Sequence, residues 1–69
     1  MPYRANTELP QSVQSHLPAH AQAIYREAFN NAYRDHAGEP DREARAHRIA
    51  WAAVKRTYRK ADGEWTPKF

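Results

Sequence analysis

Every proline and glycine in this chain falls where a helix can begin or end, and that spacing constrains the fold more than any other feature. Pro10 suits the first turn of a short helix running to His16, because proline there gives up an amide hydrogen that has no helical partner. Pro18 ends that helix, since the residue before a proline is pushed out of the helical region. Val13 and Leu17, four apart, supply its apolar side.

A second helix is predicted from Pro18 through Ala19 to about Ala37, stopping at Gly38, which suits a left-handed cap. Advancing about 100° per residue gathers Ala21, Ile24, Tyr25, Ala28, Phe29, Ala32 and Tyr33 on one half. Gln22, Arg26, Glu27, Asn30, Asn31 and Arg34 occupy most of the other half. A third helix follows the restart at Glu39-Pro40-Asp41 and spans Arg42 to Lys60, with acids at its positive end and Arg56, Arg59 and Lys60 near its negative end. On its wheel Ala46, Ala50, Trp51, Val54 and Tyr58 face inward. Arg42, Arg45, Arg48, Lys55, Arg56 and Arg59 lie opposite, interrupted by Ile49 and Ala52.

The connection from Gly38 to Pro40 is too short for anything but an αα-hairpin. Both chain ends read as extended and are assigned to a small antiparallel two-stranded sheet that brings Tyr3 and Trp65 onto the hairpin, with Pro2 and Pro67 confining it to edges. The expected fold is therefore mainly α, one short and two long helices with a small sheet, in a single domain over 1–69. Apart from the doubled Leu-Pro there is no internal repeat. A chain of 69 residues with no cysteine has no disulfide or thiolate metal site to staple it, so its eight aromatic residues must anchor the core.

Catalysis needs a nucleophile or a matched acid and base in a water-excluding pocket, and a two-layer hairpin of this length leaves little volume for one. The chain reads as a non-enzyme, and nothing around Ser12 or Ser15 marks them as activated. Four histidines raise the question of a metal, but His16 and His20 are separated by the break at Pro18. His36 is assigned to capping carbonyls at the end of the second helix, and His47 to a hydrogen-bonded place in the core. No metal or cofactor is expected, and the eight carboxylates show no calcium-loop spacing. No apolar run approaches the ~20 residues of a membrane span, and Met1-Pro2-Tyr3-Arg4 lacks a signal segment, so a cytoplasmic location is expected.

Charge carries the functional signal. Residues 42–60 hold seven Lys or Arg and one acid, Glu43, whereas the rest of the chain has four bases and seven acids. Arg42, Arg45, Arg48, Lys55, Arg56 and Arg59 form the expected partner-binding face. A basic helix face is commonly no more than solvated surface, but one selected only for solubility would interleave opposite charges at i,i+4. Phosphates of a nucleic acid, an anionic membrane surface and an acidic protein patch all fit. The aromatic residues of this helix point inward, so a stacking platform for single strands is missing, while a helix in a major groove stays open. The apolar side is committed to the core, which leaves only electrostatic contact with lipid.

The segments MPY, LPQSV, LPAHAQAIYREAFNNAY and AHRIAWAAVKRTYRK, in that order over residues 1–60, resemble the ChaB family of small bacterial proteins. HAQ at His20–Gln22, EAFN at Glu27–Asn30 and AWAAVK at Ala50–Lys55 carry most of the likeness. The resemblance implies three helices with a small antiparallel sheet, and a role as regulator of a cation antiporter, calcium or sodium/proton, of the ChaA type. This sequence departs from the family in a shorter, less acidic connection near Gly38 to Asp41 and in a more basic third helix. Two functions are carried forward: a monomeric regulator that binds such an antiporter through the basic face, and a small nucleic-acid-binding protein using the same residues.

Overall fold

The computed structural model describes residues 3–68. Its elements run in order as a short 3-10 turn at Asn6–Glu8, α1 (Gln11–His16), α2 (Ala19–Asp35), α3 (Arg42–Thr57), β1 (Tyr58–Ala61) and β2 (Glu64–Pro67). The two Leu-Pro steps open helices as anticipated, although each proline stands one position before the first helical residue. Pro10 and Pro18 sit at the N-caps of α1 and α2, where their carbonyls accept the first helical bonds from Val13 at 2.9 Å and Gln22 at 2.9 Å. Each step also carries a glutamine five residues after the leucine. Gln14 donates its side-chain amide to Leu9 O at 2.6 Å, and Gln22 donates to Leu17 O at 2.8 Å. The repeat is therefore longer than a doubled Leu-Pro: in both copies the leucine is buried, as is the residue four positions later, Val13 or Ala21.

The long helices α2 and α3 form the expected αα-hairpin, turning through His36–Gly38, where Gly38 takes φ 91°. Ala21, Tyr25, Phe29 and Ala32 of α2 meet Ala46, Ala50 and Val54 of α3, all buried. Alanine at four of these seven positions lets the backbones approach, and the large rings fill the remaining space. Tyr25 and Phe29 stack with centroids 6.3 Å apart, and Trp51 meets Tyr25 edge-on at 5.2 Å.

Two expectations are corrected at the chain ends. The small antiparallel sheet is present, but both of its strands come from the C-terminal region: β1 pairs β2 from Tyr58↔Pro67 to Ala61↔Glu64. The segment around Tyr3 forms no strand. It lies instead across α2, with the Tyr3 ring 4.8 Å from Phe29. The part of the expectation that falls on Met1, Pro2 and Phe69 lies outside the described residues. The second correction follows from the first, for α3 ends at Thr57 rather than Lys60. Asp62 and Gly63, at φ 52° and 80°, make the two-residue turn that favours a hairpin, so residues 58–61 exchange helical bonds for cross-strand ones. Tyr58 is buried all the same, and Trp65 packs 5.7 Å from Trp51. Tyr3 and Trp65 thus both reach the core as expected, although not by pairing with each other.

Candidate binding face

The six bases singled out in the sequence do not share one environment. Arg42, in the first turn of α3, is drawn back against α2. Its Nε donates to the carbonyl of Tyr33 at 2.7 Å, and its guanidinium lies 3.6 Å from the centroid of the Tyr33 ring. Tyr33 is in the last turn of α2, where carbonyls lack a helical partner, so Arg42 caps that end while stacking on the ring. Arg45 is also engaged within the chain. Its Nε contacts Asp41 Oδ2 at 3.1 Å and Glu39 Oε1 at 3.3 Å. The hydrogen bond from Arg45 is the largest influence holding the Asp41 carboxyl below the usual carboxylate range, and the same bond raises the Arg45 guanidinium.

The capping role expected of His36 is corrected by this acidic connection. The His36 ring approaches Glu39 Oε2 at 2.5 Å through Nδ1, leaving the last carbonyls to Arg42 and to the backbone of the turn. His47 is hydrogen-bonded as expected, against the hydroxyl of Tyr25 and 4.6 Å from the Phe29 ring, but it is half-buried at the edge of the core rather than within it. His20 meets the Tyr58 hydroxyl at 3.1 Å. On α1 the Ser15 hydroxyl is 3.3 Å from His16 Nδ1, but the same ring nitrogen approaches Ser12 O at 2.6 Å and the three residues are exposed. Among the described residues no three His, Asp or Glu groups converge as a metal site.

Arg48, Lys55, Arg56 and Arg59 are different. All four are exposed, and among the described residues no carboxylate lies within ion-pair distance of them. No acid occurs between Glu43 and Asp62, so Arg48, Lys55 and Arg56 have no acid within four residues in sequence, while Arg59 has Asp62 three residues on. Lys60 extends the row along β1, opposite Trp65. Ile49 borders the row and is 41% exposed, where a core side chain would be covered. The helical wheel located Arg48, Lys55 and Arg56 on the outward side of α3, whereas Arg59, which it assigned to the same helix, is exposed on β1. What it could not separate was the pair already used by the fold, since Tyr33 and Glu39 are brought to Arg42 and Arg45 by the turn between helices.

No described helix is long and apolar enough to cross a membrane. The architecture defines a small helical hairpin closed by a C-terminal β-hairpin and presenting, on α3 and β1, a row of exposed bases without an ion-pair partner among the described residues. The family model for ChaB matches residues 9–68. Proteins named "Putative cation transport regulator ChaB" from Escherichia coli strain K12, Escherichia coli O157:H7 and Shigella flexneri are each 47% identical over 75 aligned positions, covering 99% of this chain and 99% of theirs. A solution NMR structure of the "putative cation transport regulator ChaB" superposes with a TM-score of 0.84 at 47% identity, covering 99% of this chain and 100% of that one. The chain belongs to the ChaB family.

Proposed function

We propose that this protein regulates cation transport by binding, without chemistry of its own, and that its target is a cation/proton antiporter, calcium or sodium, of the ChaA type. The names of its relatives support a regulatory role. The observation that carries the binding mode is the exposed row Arg48, Lys55, Arg56 and Arg59, which lacks a compensating acid among the described residues. The protein acts as a monomer at the cytoplasmic surface, placing this row against an acidic patch of the transporter, while Arg42 and Arg45 hold the α2–α3 connection that sets the row's orientation. A nucleic acid would meet the same row through phosphates.

Antiport measured in membrane vesicles with and without the purified protein tests the proposal. Transport is expected to change on addition, and the change to disappear for the triple variant Arg48→Glu, Lys55→Glu, Arg56→Glu. Unchanged transport at saturating protein overturns the reading. Titration of labelled duplex at rising salt checks the phosphate alternative, whose affinity must fall steeply with salt.

A further inference from the structure

His47 stands between two groups that make opposite demands on its ring. Nδ1 meets the hydroxyl of Tyr25 on α2, and Nε2 lies 3.9 Å from Oε1 of Glu43, four residues earlier on α3. Tyr25 is wholly buried and its phenol keeps its proton to about 12, so at neutral pH the hydroxyl carries a hydrogen that needs an acceptor. Among the described residues Nδ1 is its one hydrogen-bond partner. Tyr25 therefore donates, Nδ1 is bare, and the neutral imidazole bears its hydrogen on Nε2, toward Glu43. The other groups packed here give the ring no hydrogen bond among the described residues. Phe29 lies 4.6 Å away, and the Tyr3 and Tyr33 rings pack on Phe29, with the Arg42 guanidinium held over Tyr33.

We infer that His47 is a proton-operated latch between α2 and α3: the neutral ring fastens to Tyr25, and the protonated ring leaves Tyr25 for Glu43, loosening the hairpin beside Phe29. A proton on Nδ1 turns that acceptor into a donor, so two hydrogens face each other. The Tyr25 hydroxyl has no second described acceptor to turn to, and a buried donor without a partner is costly. Glu43 acts in the opposite sense. It is exposed, one helical turn from His47, and as an anion it favours the charged ring. The His47 side chain is 32% exposed, which leaves it room to turn toward Glu43. His20 supplies an internal contrast, for its Nδ1 also meets a tyrosine hydroxyl, that of Tyr58, but no described carboxylate stands within ion-pair distance of it. It has the catch without the second anchor.

The test follows the full chain, with nitrogen-labelled histidine rings, by NMR from about pH 8.5 down to about pH 5, across the ordinary imidazole value near 6.5. At the alkaline end the His47 ring nitrogens should report the Nε2–H tautomer. As His47 takes up its proton, nuclear Overhauser contacts from its ring to Tyr25 and Phe29 should weaken and contacts to the Glu43 methylenes should strengthen, while the circular dichroism spectrum stays unchanged. Titration of His20 should leave the contacts of Phe29 as they are. Glu43→Gln, at an exposed site, removes the second anchor without touching the core, and the release should then occur a few tenths of a pH unit lower. Tyr25→Phe removes the hydroxyl that keeps Nδ1 bare, and His47 should then take up its proton about one pH unit higher. An Nδ1–H tautomer in the neutral parent, contacts to Tyr25 and Phe29 that persist after His47 is protonated, or release at the same pH in Glu43→Gln and the parent overturns the inference. The tautomer and Glu43→Gln decide it even where Tyr25→Phe does not fold.

Discussion

The carboxamide of Asn30 holds the backbone of Tyr3 from both sides: Oδ1 accepts from the Tyr3 N–H at 3.1 Å and Nδ2 donates to the Tyr3 carbonyl at 2.7 Å. Asn30 is buried, on a position of α2 that the helical wheel assigns to the polar half. It makes the strand-like contact that this N-terminal segment does not make with a strand. Arg26 adds to the clasp through Asn6 Oδ1 at 3.1 Å and Arg4 O at 3.4 Å.

Asn30→Ala should therefore destabilise the domain by about 2 kcal/mol, since it removes two hydrogen bonds and leaves one backbone donor and one acceptor beside the core. In a chain this short that corresponds to a fall in Tm of roughly 10 °C. Thermal unfolding measures the loss, and amide exchange should show faster exchange at Tyr3. Protection at Tyr3 equal to that of the parent would refute the clasp.

The paired glutamines predict a matched effect. Gln14→Ala and Gln22→Ala each remove the amide that serves a leucine carbonyl beside a proline, and each should cost about 1 kcal/mol. Urea unfolding of both variants checks this, with midpoints lowered and slopes unchanged. A variant at Gln11, exposed and outside the motif, should unfold like the parent.

Burial pushes the Tyr25 phenol up to about 12, with a smaller contribution from Tyr3, itself raised chiefly by burial. The unfolded chain loses that proton near 10, the ordinary phenol value, before the folded one does. Stability from this group is thus fully present below pH 10 and is lost as pH rises toward 12. Urea midpoints measured on both sides of pH 10 should fall with pH in the parent, and less steeply in Tyr25→Phe. A Tyr25→Phe profile parallel to the parent would exclude Tyr25 as the source.

Arg42 and Arg48 should separate structure from recognition. Arg42→Ala loses the cap on Tyr33 and the stacking on its ring, and should cost about 1–2 kcal/mol of stability. Arg48→Ala, at an exposed site without a described acid in ion-pair reach, should stay within about 0.5 kcal/mol of the parent and act on binding instead. Equal destabilisation by both would contradict the division of the basic residues drawn above.

The sequence by itself determined the three helices, their inward faces and the outward row of bases. Those features rest on local chemistry: proline without an amide hydrogen at Pro10 and Pro18, glycine free at Gly38, and a side-chain period that sends Tyr25, Phe29, Ala46, Ala50 and Val54 to one side. Tertiary structure decided what depends on residues distant in the chain. Tyr58 to Ala61 leave the helix because Glu64 to Pro67 are there to pair with them. Asn30 is buried because Tyr3, 27 residues earlier, folds back over α2. Arg42 and Arg45 belong to the fold because the turn brings Tyr33, Glu39 and Asp41 to them, whereas Arg48, Lys55, Arg56 and Arg59 form no ion pair with it among the described residues. A wheel gives the direction of a side chain from its own helix; only the packed neighbour gives it a partner.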